Sequence, residues 1–247
     1  MAPKVVAVIP ARLNSTRFPD KVIYPWRGKP LLYYVYREAK KSHKIDRIVV
    51  ATDSKRVQKA LEPFGAEVIL TSSRYRTGSD RVAAVMAKTG GDIIVNIQAD
   101  NLGLKAATLD RVIERMTSES NIRFATLACR LKTDEELFDP NVVKVVVAKD
   151  GRALWFSRFP IPFLRTASNE KRAKQFRFLR HIGIYFFRRE GLSQFAKWRQ
   201  TSLEKAESLE QLRILENGEI IKVFKSTMYS VSIDTIEDLH KLAKVYR

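Results

Sequence analysis

Val5-Val-Ala-Val-Ile-Pro10, followed at once by Ala11-Arg12-Leu13-Asn14-Ser15-Thr16-Arg17-Phe18-Pro19-Asp20-Lys21, is the stretch on which the fold turns. The apolar run reads as a buried strand over Val5–Ile9. The loop behind it carries two arginines, two hydroxyls, an asparagine and a lysine, a set suited to holding phosphates. In open α/β sheets, ligands bind beyond the carboxyl ends of the strands. Arginine grips phosphate oxygens with a planar fork, and lysine acts as a mobile point charge. The loop lacks the glycines of a Walker loop and of a dinucleotide-binding fingerprint.

Outward from this stretch, strands and helices alternate. Leu31–Lys40 has helical spacing, with Pro30 suited to its first turn. Arg47–Thr52, Glu67–Thr71 and Asp92–Gln98 read as strands. Lys55–Leu61, capped by Asp53 or Ser54, and Gly78 to about Lys88 read as helices. Val/Ile-rich strands alternating with helices imply an α/β fold, with a mostly parallel sheet covered on both faces. Right-handed crossovers then gather the loops after Pro10, Thr52, Thr71 and Gln98 at one edge.

The second half is less regular. Asn121–Leu131, Val142–Ala148, Ala153–Ser157 and Phe178–Phe187 read as strands, and Phe159–Phe163 as a rigid extended piece. Arg165–Arg177 is expected to be a mobile loop. Leu203–Leu215 reads as one helix stopped by Gly218. Its charged residues, Glu204 among them, are expected to face solvent. Glu219–Phe224 and Met228–Ile233 look like paired strands, and Ile236–Val245 like a closing helix. No repeat or low-complexity linker is present. The 247 residues are read as a single domain, with a β-rich insertion around 121–188.

Hydrophobic residues make up 45% of the chain, enough for a sizeable core. No apolar run approaches the roughly 20 residues of a bilayer span, and the start lacks the layout of a secretion signal. Cys129, the only cysteine, sits in an apolar strand pattern and is expected to be a core thiol. A cytoplasmic location fits that cysteine usage and is expected. The net charge of +18 admits nucleotides, nucleic acid or an anionic membrane as partners. The charge is spread along the chain, and no RNA-recognition or zinc-finger pattern is present. A basic surface plus one anion site is preferred to a nucleic-acid groove.

Two carboxylates stand just past strands, Asp100 after Asn96-Ile-Gln98-Ala and Asp234 after Ser232-Ile233. Brought to one sheet edge, they could share Mg²⁺, which takes oxygen ligands and commonly uses one or two carboxylates plus phosphate oxygens. Locally, Asp234 also reads as a helix cap and Asp100 as a turn residue. In a strand, His181, Gly183 and Tyr185 share one face. With only His43, His181 and His240 in the chain, a histidine-rich metal site is excluded.

In these blocks the chain resembles the CMP-Kdo synthetase (3-deoxy-manno-octulosonate cytidylyltransferase) family. The marks run from Ile9-Pro-Ala-Arg12 to Lys21, through Gly28-Lys-Pro30, Ala51-Thr-Asp53, Thr77-Gly-Ser79-Asp80-Arg81 and Asn96-Ile-Gln98-Ala-Asp100. They continue through Phe156-Ser-Arg158, Pro160-Ile-Pro162, Leu179-Arg-His181-Ile-Gly-Ile-Tyr185, Leu203 to Arg213, and Asp234-Thr-Ile-Glu-Asp238-Leu. The resemblance implies a nucleotide-diphospho-sugar transferase-like fold with a dimerisation element, and a homodimer. It implies a Mg²⁺-dependent reaction of CTP with a ulosonic acid, giving a CMP-sugar and pyrophosphate for lipopolysaccharide or surface-polysaccharide synthesis. By resemblance, Arg12, Arg17, Lys21 and Asp100 are catalytic. Arg12, Ser15, Arg17 and Lys21 bind the triphosphate of CTP, and Arg74, Thr77, Gly78 and Ser79 lie beside its base and ribose. Gln98, Arg158, His181, Tyr185, Glu210 and Gln211 match the sugar side, with Arg158 expected at the sugar's carboxylate. Asp100 and Asp234 match the metal ligands.

Two departures stand out. The family's Gln-Gly-Asp-Glu-Pro is here Gln98-Ala99-Asp100-Asn101-Leu102, and its Pro-Gly-Lys is Pro19-Asp20-Lys21. The extra carboxylate of Asp20 is expected to oppose phosphate or to contact a second cation. Kdo and close analogues, amino-substituted Kdo included, remain open as the sugar. The rival reading is a degenerate, basic nucleotide- or nucleic-acid-binding module, whose binding would weaken steeply with salt.

Overall fold

Strand β1 (Val5–Ala11) is buried along its whole length. Val5, Ala7, Ile9 and Ala11 join one hydrophobic core, while Val6 and Val8 join the other. A strand covered on both faces has no polar side to alternate with, hence the unbroken apolar run. The computed structural model describes residues 2–13, 18–75, 77–165, 171–229, 231–233, 236 and 238–239.

A short hairpin, β2 (Pro25–Trp26) with β3 (Lys29–Pro30), leads into α1 (Leu31–Ala39). Next come β4 (Arg47–Thr52), α2 (Lys55–Leu61), β5 (Glu67–Leu70), α3 (Gly78–Thr89) and β6 (Ile93–Ile97). The Ser54 side chain caps α2 by accepting from the Arg56 amide. β1 pairs in parallel with β4 and β6, and β4 in parallel with β5. The order is therefore β6-β1-β4-β5, and the loops that follow these strands share one edge, as expected.

The remaining elements are β7 (Asn101–Leu102), α4 (Ala106–Ser118), β8 (Phe124–Arg130), α5 (Asp134–Phe138), β9 (Lys144–Val147), β10 (Ala153–Ser157), α6 (Arg172–Gln175) and β11 (Leu179–Arg188). They are followed by α7 (Arg189–Lys197), α8 (Ser202–Glu207), α9 (Leu212–Glu216), β12 (Ile221–Ser226) and β13 (Val231–Ser232). The strands between 121 and 188 extend the same sheet. Its described path is β10-β9-β11-β6-β1-β4-β5, with β8 beside β11 and β12 beside β8. Side chains of α1, α2 and α4 fill one face, and those of α3, α7 and α9 the other.

β11 is where the sheet forks. One flank pairs with β8. The other meets β9 at Arg180, opposite Lys144, and then β6 from Ile184 onward. Against β8, the register slips between Ile182, opposite Leu127, and Tyr185, opposite Thr126. Gly183 and Ile184 are thus extra residues in a bulge. Side chains capture all three carbonyls there: Thr126 contacts those of Ile182 and Ile184, and the Asn101 amide donates to that of Gly183.

Several expectations need correction. Leu203–Leu215 is two helices, because Ser208 turns left-handed (φ 52°) between α8 and α9. Their charges are not all solvated, since Glu204 and Arg213 form a buried ion pair, 2% and 5% exposed. Glu219–Phe224 does not pair with Met228–Ile233. β12 runs parallel to β8, and β13 pairs with β7. Within Arg165–Arg177, residues 172–175 form a helical turn, because Asp134 accepts from the amides of Arg172 and Ala173. Most of Ile236–Val245 lies outside the described residues.

Candidate active site

At the shared edge, Lys21 and Asp100 meet although far apart in the chain. Lys21 Nζ donates to Asp100 Oδ2 at 2.8 Å. The side chains are only 11% and 24% exposed, so water screens this pair less than a surface one. Asp20 holds a left-handed conformation (φ 55°) that glycine would adopt without strain. Its carboxylate accepts from both terminal nitrogens of Arg56, at 3.1 and 2.7 Å. Asp20 is therefore engaged by α2. Arg12 leaves the end of β1 and donates to the Tyr75 carbonyl. Burial and the nearby Arg81 guanidinium hold its pKa below the ordinary arginine value. Ser15, Arg17 and Asp234 lie outside the described residues. The Ile233 amide donates to the Asp100 carbonyl at 3.4 Å.

The loop before α3 is tied down from several sides. Thr77 and Asp80 form a capping box. Arg81, fully buried, donates to Asp53 at 2.9 Å and to Thr71 at 2.5 Å, binding the loops after β4 and β5 to α3. A Cβ on Gly78 would come within 3.3 Å of both Pro10 and the Gln98 amide, so glycine lets the loop approach that closely. Ser79 donates to Glu210 through its hydroxyl at 2.8 Å and its amide at 3.4 Å, and accepts from Asn96 at 3.0 Å. Arg74 and Thr77 line a separate hollow of about 690 Å³, shared with side chains of α3 and α7.

In the fork lies a cavity of about 280 Å³, whose walls include Gln98, Asp100, Arg180, His181, Tyr185 and Gln211. His181 Nε2 is 2.8 Å from the Thr126 hydroxyl. Burial, with Arg180 adjacent, lowers the His181 pKa to about 3, so the ring is neutral at ordinary pH. Burial and nearby Glu210 push the Tyr185 hydroxyl well above 10. Tyr185 donates to Gln211 Oε1 at 2.9 Å, and Gln211 Nε2 is buried without a partner. Glu210 is occupied by Ser79; burial raises its pKa, opposed by the hydrogen bonds from Ser79 and Thr77. Arg158 is not among the residues lining this cavity. Its guanidinium donates to the carbonyls of Glu207 (2.7 Å), Pro140 (2.8 Å) and Ser208 (3.4 Å), bracing the loops around it.

Comparison with known proteins decides what this edge belongs to. The cytidylyltransferase family profile matches residues 6–223. A 3-deoxy-manno-octulosonate cytidylyltransferase of Geobacter metallireducens is 42% identical over 98% of this chain and 97% of its own length. The enzyme of that name from Geobacter sulfurreducens is 42% identical over 96% of this chain and 97% of its own length. The chain belongs to the 3-deoxy-manno-octulosonate cytidylyltransferase family. A solved CMP:2-keto-3-deoxy-manno-octonic acid synthetase, complexed with CTP, superposes with a TM-score of 0.89 at 35% identity, covering 98% of each chain. The inositol-1-phosphate CTP transferase of T. maritima shares the fold, with a TM-score of 0.68 at 18% identity and 97% and 94% coverage.

In this cytidylyltransferase the fork accounts for one departure from the family pattern. Asn101 replaces a glutamate, and its amide supplies the proton that the Gly183 carbonyl accepts at 3.1 Å. A carboxylate cannot donate that bond. Arg180, in the cavity wall, and Thr126, behind His181, are site residues beyond those the motifs imply. Arg180 stands next to His181 in the Leu179–Tyr185 motif, a usable signal. Thr126 is one threonine in a buried strand and carries none. Among the described residues, no group of three or more His, Cys, Asp or Glu side chains could hold a metal. A magnesium site of one or two carboxylates completed by phosphate oxygens requires no such group, and the all-oxygen donor Asp100 suits that ion. Cys129 is buried, and burial raises its thiol pKa, as expected of a core residue. No described helix is long and apolar enough to cross a membrane.

Proposed function

We propose that this chain is a Mg²⁺-dependent 3-deoxy-manno-octulosonate cytidylyltransferase that activates Kdo, or a close analogue, with CTP. The products are a CMP-sugar and pyrophosphate, supplied to lipopolysaccharide synthesis in the cytoplasm. The observation that carries the reading is the Lys21–Asp100 pair at the sheet edge, beside a polar cavity of sugar size. Phosphoryl-type transfer needs charge neutralisation and alignment more than covalent help.

Arg12 and Lys21, with Arg17 and Ser15, hold the triphosphate and neutralise the departing pyrophosphate. Arg74, Thr77, Gly78 and Ser79 border the base and ribose. Gln98, His181, Tyr185 and Gln211 orient the sugar, so that its anomeric hydroxyl faces the α-phosphorus in line. Glu210 and Arg158 act one step back, holding the walls of the site. Asp100 and Asp234 would hold Mg²⁺, which when bound clamps phosphate oxygens and lowers the pKa of the attacking hydroxyl.

A homodimer is part of the proposal. Phe159 and Phe163 in the β-rich part are 73% and 75% exposed, and Arg172 lies 6.0 Å from the Phe138 ring and 5.9 Å from that of Phe163. A second copy of this chain covering these rings would remove them from water. Sedimentation would show a dimer that dissociates on Phe163→Glu. The test of activity is pyrophosphate release from CTP, Mg²⁺ and Kdo. Silence with every ulosonic acid tried refutes the reading.

A further inference from the structure

The cavity in the fork has hydrogen-bonding roles fixed from behind. A threonine hydroxyl carries one proton and two lone pairs. Thr126 Oγ1 lies 2.8 Å from the Ile184 carbonyl and 3.3 Å from that of Ile182. Carbonyls only accept, so the proton of Thr126 is committed to them. His181 Nε2, at 2.8 Å, must then donate to Thr126. A neutral imidazole has a single N–H, which leaves Nδ1 as a bare acceptor. The ring is pinned between Phe156 and Tyr185, with centroids at 5.0 and 5.4 Å. A parallel constraint acts on Gln211. Tyr185 donates to its Oε1 at 2.9 Å, which turns the amide's NH2 away from the phenol. Nε2 remains a buried donor without a protein partner, on a residue only 2% exposed, in the wall of the same cavity. Such a group is costly to leave unmet, and a ligand oxygen would meet it.

We propose that Thr126 locks His181 as a hydrogen-bond acceptor and Tyr185 locks Gln211 as a donor, so that the cavity selects its sugar by hydrogen-bond polarity. One sugar hydroxyl must donate its proton to His181 Nδ1. Another sugar oxygen need only accept, from Gln211 Nε2. Thr126 is a positioning residue that touches no substrate. The inference builds on the cytidylyltransferase reading and specifies which substituents that sugar site accepts.

The experiment uses the full chain, with CTP, Mg²⁺ and a panel of monodeoxy and monodeoxyfluoro ulosonic acids. Fluorine can accept weakly but cannot donate. At the position facing His181, both replacements lower kcat/KM about 10- to 100-fold. At the position facing Gln211, the deoxy compound loses more than the fluoro compound. Thr126→Val reduces the hydroxyl-over-fluoro preference at the first position to within about threefold, and Thr126→Ser restores it. Independently of substrate, ¹⁵N spectra of the wild-type protein at neutral pH show His181 protonated at Nε2, and Thr126→Val loses that single-tautomer signature. A wild-type His181 protonated at Nδ1 overturns the proposal, as does fluorine tolerated at every position or a Thr126→Val enzyme with unchanged preference. If no ulosonic acid releases pyrophosphate, the functional reading fails, while the tautomer result still stands or falls alone.

Discussion

Asn101→Asp exchanges one atom for another of nearly equal size and reverses its role. The native amide donates to the Gly183 carbonyl at 3.1 Å from a residue only 6% exposed. The substitution orphans that carbonyl and aims a carboxylate oxygen at it. An unsatisfied buried group costs about 1–3 kcal/mol, more where a charge is involved, so the expected loss is about 3 kcal/mol. In a chain of this size each kcal/mol moves Tm by about 2–4 °C, giving a fall of about 6–12 °C. The loss depends on pH. Burial, the facing carbonyl and neighbouring Asp100 raise the folded-state pKa of the new carboxyl above its unfolded value of about 3.9. The deficit against wild type is full above the raised value. It shrinks as pH falls from there toward about 3.9, because the folded state then binds a proton that the unfolded chain does not. The protonated acid can also donate to Gly183. Calorimetric melting of both proteins from about pH 5 to pH 8 measures the gap. The bulge carries the residues around the sugar cavity, so KM for the sugar should rise while KM for CTP holds. A gap that does not vary with pH, or a variant as stable as wild type at the alkaline end, would refute the assignment of Asn101 as donor to the bulge.

Asp100→Ala should keep the fold and lower pyrophosphate release by at least about 10²–10³-fold; undiminished turnover would remove Asp100 from the chemistry. Lys21→Met should raise KM for CTP and lower kcat, read from initial rates, because the cation facing Asp100 is lost. Glu204→Gln removes the nearer carboxylate of the buried Arg213 guanidinium, bonded at 2.8 and 2.5 Å, and leaves it Asp80 at 3.4 Å. Thermal melting should register a loss of about 3 kcal/mol, the low end of the cost of breaking a buried pair. Asp20→Gly exchanges an exposed ion pair for relief of a left-handed backbone, terms of about 1 kcal/mol each and opposite sign. Its Tm should stay within a few degrees of wild type.

The parallel half was legible because a buried strand writes itself as an apolar run. Val5–Ile9, Arg47–Thr52 and Leu31–Lys40 each match an observed element to within two residues at either end. What escaped has physical causes outside any local window. Glu207 accepts from Ser157 and the Arg158 amide, which holds the chain where Ser208 reverses and breaks the expected helix. β12 finds its partner in β8, with Ile221 opposite Phe124, and nothing between them announces the pairing. Asp134 orders the turn at 172–175 from across the chain. At the site, Lys21 and Asp100 came together as their motifs suggested. The occupation of Arg158 and Glu210 by protein partners was invisible, since hydrogen-bond saturation belongs to the packed state.

The cavity beside β11 is a gap in a hydrogen-bonded ladder, not a furrow between two bodies, and its span is therefore quantised by backbone register. Exchanging side chains around it alters which atoms it greets but leaves the separation of β6 from β9 untouched. Adding or deleting one residue at Gly183–Ile184 would shift that separation by a strand increment of about 3.3 Å. Enzymes of this build that take longer or shorter acids should differ there in chain length before they differ in composition.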